Sequence, residues 1–384
     1  MSTEANDGSP RVLLLCESLA LTGGVERFVC QLGSDLAARG MNVAIGSADA
    51  AGTAVAFAVG AGVRVLHGGS ATQPARVDET AGPRRAWRLL KAQWRVGRAL
   101  GGIARRDRPD VIVLNGLVAA CATLALQPRL AERAICCDHN HFGARSRFWQ
   151  ALRAFLYPRV AAVVSLTEAD RSRFAALNAD VRVIANASML TATEPALPAA
   201  PLVLAVGRHQ AQKGFDLLLR AWVDVAAALP SARLRIVGVG PLASELAALA
   251  AELDIAASVE WLPPTQHIEA LYREAAVFVL SSRYEGMPLA LLEAQALGVP
   301  AVAFDCPTGP RDIVADDTGV VVRAGDCAAL AGAIVALLGD PDRRARMGRA
   351  AIARSRSLFS RERQVASWAA LIGEVAAARP SGSR

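Results

Sequence analysis

Short apolar runs alternate with amphipathic stretches along almost the whole chain. The runs fit buried strands, and the stretches between them, with apolar positions every three or four residues, fit helices. Such alternation predicts parallel sheets covered by helices on both faces. The strands predicted in the first half are Val12–Cys16, Asn42–Gly46, Val63–Leu66, Val111–Asn115, Ala134–Cys137, Ala161–Leu166 and Val181–Ile184.

A proline-rich, polar stretch interrupts this pattern and predicts a linker at residues 191–200. It separates an N-terminal domain, residues 1–190, from a C-terminal domain, residues 201–358, and residues 359–384 are expected to form a final helix and a tail. The stretch Asp340–Ala378 is predicted to be helical throughout. Two doubly wound domains would face each other across a cleft. The strands predicted in the second half are Leu202–Val206, Arg233–Val237, Val259–Leu262, Ala276–Leu280, Pro300–Phe304 and Val320–Val322.

The composition, with 53% apolar and 20% charged residues, is that of a globular enzyme. The seven cysteines lack metal-ligand spacing, and Cys16, Cys136 and Cys137 lie in strand-like runs, which indicates buried free thiols in a reducing compartment. No secretory signal is evident, and the longest apolar stretch, Val111–Leu126, is short for a membrane span. We therefore expect a cytoplasmic protein that could still attach to the inner face of the membrane.

The excess of basic residues belongs to the first half, where residues 1–190 hold 23 Lys+Arg and 15 Asp+Glu. Basic and aromatic residues are interleaved in Arg84–Arg108 and Phe142–Arg159. One interpretation of helix Trp87–Arg105 is an amphipathic helix packed on the sheet; the other is contact with anionic lipid headgroups. No nucleic-acid-binding motif accompanies the charge, so no nucleic acid partner is predicted.

The most informative segment follows the predicted strand Ala276–Leu280. Glycine-containing turn chemistry leads into helix Leu289–Leu297, with Pro288 at its first position. A helix start at the carboxyl edge of a parallel sheet offers free backbone N–H groups to a phosphate. Glu285 lies in the turn, and Glu293, about two helical turns further on, could accept hydrogen bonds from a pair of hydroxyls.

Two cations follow the first strand of the second half, Arg208 and Lys213. A diphosphate needs cations to neutralise it and to stabilise charge on a leaving group. The chain has only one other lysine, Lys91, so a lysine at this position suggests a compact point charge. The alternative is a solvated surface lysine.

Polar and glycine clusters also follow two strands of the first half. Gly23-Gly24 opens the predicted helix Val25–Arg39 and would either admit a ligand or simply form a tight turn, and Glu26 fits the helix dipole. Asp138-His139-Asn140-His141 follows Ala134–Cys137, and a polar cluster at the end of a strand is expected to face the cleft. A two-histidine metal site is the rival interpretation, without an evident third ligand cluster. The only D-x-D triplet, Asp340-Pro341-Asp342, fits a helix cap better than a metal clamp, so no metal is predicted.

Together these fragments resemble the retaining GT-B glycosyltransferases of group 1 or family 4. Glu285 and Glu293 match the E-x7-E signature, and the resemblance extends over most of the chain, through Gly23–Glu26, Val206–Arg208 and Ile236–Pro241. It implies two Rossmann-like domains facing across a cleft and transfer of a hexose from a nucleoside diphosphate sugar to a saccharide or lipid-linked acceptor. Leu262-Pro263-Pro264-Thr265 departs from the family's glycine at that position, which puts contacts to the donor base there in doubt.

The resemblance also implies residue roles. Glu285 would contact the transferred sugar and His139, or alternatively His141, would help to position it; Glu293 would bind the ribose. The implied donor-binding residues are Gly24, Arg208, Lys213, Gly286, Met287, Pro288, Leu289 and Glu293.

The segment Cys306–Pro310 resembles members that use UDP-sugars to build surface polysaccharides or glycolipids. UDP is therefore the favoured nucleotide, GDP-mannose is the alternative donor, and no cofactor is expected. Two other functions stay open: a sugar-nucleotide epimerase of the same architecture, and a non-catalytic subunit of a membrane-associated assembly complex. The intact Glu285/Glu293 and Arg208/Lys213 pairs argue against a pure scaffold.

Overall fold

A computed structural model describes residues 9–70 and 83–378 and divides the chain into two compact units. Unit 1 comprises residues 1–184 together with residues 365–384, and unit 2 comprises residues 185–364. The structure divides the chain after Ile184 and again after Gln364. The sequence predicted a linker at residues 191–200 and a boundary after residue 358. The end of the predicted tail lies outside the described residues.

Unit 1 is built on a parallel sheet of seven strands in the order β3-β2-β1-β4-β5-β6-β7. Continuous apolar runs form its central strands because helices cover both faces of a parallel sheet. The strands are β1 Arg11–Cys16, β2 Asn42–Ser47, β3 Arg64–His67, β4 Val111–Asn115, β5 Ala134–Cys137, β6 Ala162–Ser165 and β7 Val181–Val183.

The helices of unit 1 pack on this sheet through their apolar sides. In the second of them, Leu100 and Ile103 are buried in the core while Arg95 and Arg98 are exposed, which is the amphipathic packing that the sequence suggested. The helices are α1 Gly24–Ala38, α2 Pro83–Asp107, α3 Leu117–Leu126, α4 Arg147–Leu156 and α5 Glu168–Ala175; the residues of α13 (Arg361–Ala377) from Val365 onward also group with unit 1.

Unit 2 is built on a parallel sheet of six strands in the order β10-β9-β8-β11-β12-β13. Its strands are β8 Leu202–Val206, β9 Arg233–Val237, β10 Val259–Leu262, β11 Val277–Leu280, β12 Ala301–Asp305 and β13 Gly319–Arg323. Its helices are α6 Phe215–Ala228, α7 Ala243–Glu252, α8 Ile268–Glu274, α9 Leu289–Ala296, α10 Pro310–Ile313, α11 Cys327–Leu338 and α12 Pro341–Leu358.

The predicted strands all occur, within a residue or so at each end. Two helix predictions needed correction. The single helical stretch expected at the C-terminus is two helices, because the chain leaves helical geometry at Phe359 before α13 starts at Arg361. Pro288 is the residue before α9 and not its first residue, since its backbone is extended with ψ of 110°. Within the described part of the chain, no helix combines the length and hydropathy needed to cross a membrane.

Candidate functional site

The predicted donor-binding residues of unit 2 lie where four adjacent strands end. The loops after β8, β9, β11 and β12 all leave the same carboxyl edge of the sheet. The strand order reverses between β8 and β11, and ligands of α/β proteins bind at such a switch point. Lys213 follows β8 and Glu285 follows β11, so the predicted cation and carboxylate come from the two sides of the reversal.

The loops after β8 and β11 are held tightly together. Arg283 donates its backbone N–H to the Gln212 carbonyl at 2.8 Å, and the Ser281 hydroxyl donates to the Lys213 carbonyl at 2.9 Å. A β-carbon placed on Gly214, which has φ of +62°, would lie 2.1 Å from the carbonyl oxygen of Ser281. Only glycine permits this approach, which fixes the position of Lys213 relative to the segment that carries Glu285.

Lys213 and Glu285 form an ion pair at the switch point. The distance from Lys213 Nζ to Glu285 Oε1 is 2.8 Å, and the Ser282 hydroxyl donates to the same oxygen at 2.6 Å. Glu285 is buried, whereas the Lys213 side chain is 18% exposed. The methylene groups of Lys213 lie over Gly207, where a β-carbon would stand 3.0 Å from them. The ammonium is thus held in place yet remains within reach of solvent.

The segment after Glu285 places backbone amides at the start of α9. Pro288 precedes the helix, and its carbonyl accepts hydrogen bonds from the backbone N–H groups of Leu291 and Leu292. The first N–H groups of any helix lack partners within it, so those of Leu289 and its neighbour point out of the start of α9. This geometry fits the anion-binding role predicted for the segment.

Glu293 lies in the second turn of α9 and is buried. Its Oε2 lies 3.0 Å from the Tyr272 hydroxyl on α8, which is also 3.1 Å from the carbonyl oxygen of Ala290. Sequence reasoning did not name Tyr272, because its 21-residue separation from Glu293 leaves no local signal. A ligand hydroxyl pair at Glu293 would therefore meet a carboxylate that tyrosine already orients.

Arg208 and His209 follow β8 in opposite environments. Arg208 is exposed, and no carboxylate in residues 9–70 or 83–378 pairs with it. His209 is 4% exposed, and its ring lies between Phe215 and Trp261 at centroid distances of 5.7 and 5.5 Å. Neither ring nitrogen of His209 has a hydrogen-bond partner among the described residues, and burial lowers the pKa of His209. The loop therefore supplies one free cation, Arg208, beside a neutral imidazole.

In unit 1, His139 follows β5 and its hydrogen bond defines its protonation. His139 Nε2 lies 2.9 Å from Asn115 Oδ1. The Asn115 amide nitrogen donates to the carbonyls of Leu15 and Val113, which fixes the amide orientation. Nε2 must therefore carry the proton, and Nδ1 keeps its lone pair. Burial lowers the pKa of His139 to about 4, so the ring is neutral at neutral pH and can accept a hydrogen bond.

Asp138, next to His139, belongs to a buried network. Arg153 donates to its Oδ2 at 3.0 Å and the Tyr157 hydroxyl donates to its Oδ1 at 2.6 Å. The Arg153 guanidinium also stacks on Phe142, 3.6 Å from the ring centroid. The expectation of a cleft-facing polar cluster does not describe Asp138, because its carboxylate is occupied inside the unit. The network instead fixes the start of the loop that carries His139.

Gly23 and Gly24 mark the start of α1 as predicted. Gly23 precedes the helix and Gly24 is its first residue. A β-carbon on Gly23 would lie 2.3 Å from the Glu26 carboxylate, so that carboxylate lies over the first turn. This matches the helix-dipole interpretation of Glu26.

The D-x-D triplet caps a helix. Asp340 accepts a hydrogen bond from the backbone N–H of Arg343 at 2.8 Å, and Pro341 begins α12. The capping interpretation is confirmed. The cysteines are free, as predicted, and Cys16, Cys136 and Cys137 are buried.

Sequence reasoning missed a carboxylate at the switch point of unit 1. Glu17 directly follows β1, beside β4, and its carbonyl accepts the backbone N–H of Ala48. Within the described ranges its carboxylate has no hydrogen bond or ion pair. Burial raises its pKa, and the charge of Arg145 opposes this. Its position directly after an apolar run was the one available signal.

Two family models match the chain in succession. The model described as glycosyltransferase family 4 matches residues 22–187, and the model described as glycosyl transferases group 1 matches residues 194–354. The chain belongs to the group 1 glycosyltransferases. Among relatives of this family, the amylovoran biosynthesis glycosyltransferase AmsD of Erwinia amylovora is 35% identical over 232 residues, which are 57% of this chain and 65% of AmsD. The match thus spans less than two thirds of that relative.

Several solved structures share the fold of this chain. Sucrose-phosphate synthase from Thermosynechococcus elongatus superposes with a TM-score of 0.82 at 21% identity, over 96% of this chain and 100% of that one. Anabaena HepE, solved in complex with UDP, gives a TM-score of 0.70 at 18% identity, over 95% of this chain and 100% of HepE. With the two parallel-sheet units, these matches confirm the predicted GT-B fold.

Proposed function

We propose that this protein is a retaining glycosyltransferase. It would transfer a hexose from a nucleoside diphosphate sugar to a saccharide or lipid-linked acceptor in the synthesis of a surface polysaccharide or glycolipid. Family membership and the similarity to AmsD, named as an amylovoran biosynthesis glycosyltransferase, support the reaction class and the pathway class. The observation that carries the proposal is the Lys213–Glu285 pair at the switch point of unit 2.

The geometry fits the chemistry of a diphosphate donor. Lys213 and Arg208 would neutralise the diphosphate, and the backbone amides from Gly286 to Leu289 would add hydrogen bonds at the start of α9. As the glycosidic bond breaks, negative charge grows on the leaving phosphate, and a fixed ammonium stabilises it without reorganisation. Glu293 would bind the ribose hydroxyls, and Glu285 would bind the transferred sugar.

His139 would act as a neutral hydrogen-bond acceptor for a sugar hydroxyl through Nδ1. Its Nε2 proton is engaged by Asn115, and its lowered pKa leaves the ring neutral. Retention would follow from attack of the acceptor hydroxyl on the face that the phosphate leaves, with that phosphate accepting the acceptor's proton. This step needs no protein nucleophile.

UDP is the favoured nucleotide, and no divalent ion is expected to take part. The Cys306–Pro310 segment and the fold shared with HepE, which was solved with UDP, support the choice of nucleotide. The only D-x-D triplet serves as a helix cap, so its first carboxylate is engaged with a backbone amide. GDP-mannose remains the alternative donor.

Melting temperature with UDP, GDP and ADP, each with and without EDTA, tests the donor site first. We expect UDP, and neither GDP nor ADP, to raise the melting temperature, and EDTA should not change this shift. At a hundredfold excess over Kd the ligand adds about 2.7 kcal/mol to the unfolding free energy.

Proton NMR of the sugar product then reports the anomeric configuration. A UDP-sugar converted without acceptor into its epimer would identify an epimerase, and no shift with any nucleotide would favour a scaffold.

We also propose peripheral contact with anionic membranes through unit 1. Trp87 on α2 and Phe148 and Phe155 on α4 are 59%, 49% and 61% exposed. Arg95 and Arg98 on α2 are also exposed. Exposed aromatic rings with arginines suit a headgroup region. Binding to phosphatidylserine vesicles should weaken with salt and with charge reversal at Arg95 and Arg98, but not at the exposed Arg220 of unit 2. Absence of binding at low salt would contradict the proposal.

A further inference from the structure

The segment Cys306–Pro310, which follows β12, lies along the segment Glu285–Pro288. Glu285 donates its backbone N–H to the Pro307 carbonyl at 3.2 Å, and the Thr308 hydroxyl donates to the Glu285 carbonyl at 2.6 Å. A β-carbon on Gly309, which has φ of +94°, would lie 2.6 Å from Pro288 Cδ. The backbone of Glu285 is therefore held on both its N–H and its carbonyl side by this one segment.

Thr308 makes this contact from a strained backbone. Its φ is +60°, a region that β-branched residues rarely adopt. Glycine or asparagine would occupy the same position at lower cost. Strain of this kind persists where the surrounding structure over-determines the conformation, and it concentrates at functional sites. Within the described residues, the Thr308 hydroxyl makes one hydrogen bond, to the Glu285 carbonyl.

The side chain that this segment positions has one engaged and one open oxygen. Glu285 Oε1 receives both the Lys213 ammonium and the Ser282 hydroxyl. Glu285 Oε2 has no hydrogen-bond partner in residues 9–70 and 83–378, although the residue is only 5% exposed. A carboxylate oxygen accepts hydrogen bonds through its lone pairs, so this open oxygen can take a donor from a ligand. A sugar hydroxyl is such a donor.

We infer that Thr308 is a positioning residue that holds Glu285 Oε2 in the orientation required by a hydroxyl of the donor sugar. Thr308 should act more on the sugar part of the donor than on its nucleotide. The phosphates would also be held by Arg208, Lys213 and the amides from Met287 to Leu289, whereas Glu285 is the residue of this segment that would bind the sugar. The inference rests on the proposed function. It makes Thr308 one reason why the protein would bind a nucleotide sugar more tightly than the free nucleotide.

The test compares Thr308→Val, which keeps the shape and removes the hydroxyl, with Thr308→Ser, which keeps the hydroxyl. Calorimetry gives the Kd of UDP-glucose and of UDP for each, with GDP-mannose and GDP as a second pair. Thr308→Val should weaken UDP-glucose about tenfold, the scale of one hydrogen bond, and leave UDP within about twofold. Thr308→Ser should restore most of the UDP-glucose affinity.

Thr318→Val is the matched control. Thr318 is a buried threonine of unit 2 whose hydroxyl interacts with Ala315 in the turn before β13, away from Glu285. Loss of the Thr318 hydroxyl should lower the melting temperature without changing the ratio of the Kd of UDP-glucose to the Kd of UDP. If Thr308→Val does not fold, Thr308→Ala is measured in the same way.

The outcomes separate the inference from the proposed function. Wild-type protein that binds neither nucleotide sugar nor nucleotide would overturn the proposed function. Two other results would overturn the role of Thr308 alone. In the first, the wild-type protein binds UDP-glucose no more tightly than UDP and GDP-mannose no more tightly than GDP. In the second, Thr308→Val weakens the binding of nucleotide and of nucleotide sugar equally.

Discussion

The carboxyl edges of the two sheets differ in how far their ion pairs are exposed to solvent. In unit 2 the Lys213–Glu285 pair keeps its ammonium in partial contact with solvent, where an anion can reach it. In unit 1 the comparable pair, Arg153 and Asp138, is closed inside the core with side chains 1% and 4% exposed, and His139 beside it is neutral. The first edge is suited to bind charge, and the second is suited to hold a neutral hydrogen-bonding surface rigidly.

The contrast is sharpest at Arg153. Arg153→Met should lower the unfolding free energy by about 3–5 kcal/mol, because it leaves the Asp138 carboxylate buried without its partner. Urea unfolding followed by circular dichroism measures this. Arg171→Met is the control, since Arg171 and Glu168 form an exposed pair, 3.6 Å apart, worth at most about 1 kcal/mol. Equal losses for the two variants would contradict the distinction.

Removing the Lys213 ammonium should strongly reduce activity, and it also leaves the buried Glu285 carboxylate without its cation. Lys213→Met is expected to reduce kcat/KM for the nucleotide sugar about a hundredfold or more, as expected when a preorganised group that stabilises transition-state charge is lost. The only other lysine, Lys91, is exposed on α2, and Lys91→Met should leave the rate unchanged. Retained activity in Lys213→Met would place the phosphates elsewhere.

His139 predicts a pH dependence of stability. Its pKa is about 4 in the folded chain, compared with an ordinary value of 6.5. Between these values the unfolded chain binds the proton and the folded chain does not, so stability is lost as the pH falls from 6.5 to 4, by up to about 3 kcal/mol. His139→Asn should flatten that part of the curve, whereas the exposed His267 replaced by Asn should not.

Glu17 should act with the opposite sign and more weakly. Its pKa is raised by burial, so its ionisation destabilises the folded chain as the pH rises above the ordinary glutamate value. Glu17→Gln should therefore raise the unfolding free energy at pH 7.5 by about 0.5 kcal/mol, and the gain should disappear under acidic conditions. Replacing the exposed Glu194 by Gln serves as the control, and a loss of stability in Glu17→Gln would reveal a partner for this carboxylate.

These comparisons also show what the sequence could predict. Buried parallel strands such as β4 are continuous apolar runs, so the strands and the parallel sheets could be predicted directly from the sequence. The position of Glu285 after a strand could also be predicted from the neighbouring sequence. Its partner Lys213 lies 72 residues away, and that pairing depends on which strands are neighbours. The same holds for Thr308, whose hydroxyl finds Glu285 only because β12 lies next to β11.

Local pattern failed where a polar residue turns inward. Asp138 follows a strand as a ligand-binding residue would, yet Arg153 and Tyr157 engage its carboxylate. Arg153 lies in the stretch Phe142–Arg159, in which basic and aromatic residues are interleaved. Because burial of an arginine depends on stacking with Phe142 and on a long-range carboxylate, no periodicity could distinguish it from its exposed neighbours.

The burial of the thiols makes the chain suitable for site-specific labelling. Six of the seven cysteines are buried, and only Cys327, at the start of α11, is partly exposed. Burial raises the pKa of the Cys121 and Cys306 thiols above that of an ordinary thiol. Alkylation requires an accessible thiolate. A maleimide-linked fluorophore or a nitroxide should therefore modify Cys327 first, so unit 2 can carry a single spectroscopic reporter without removal of any native cysteine.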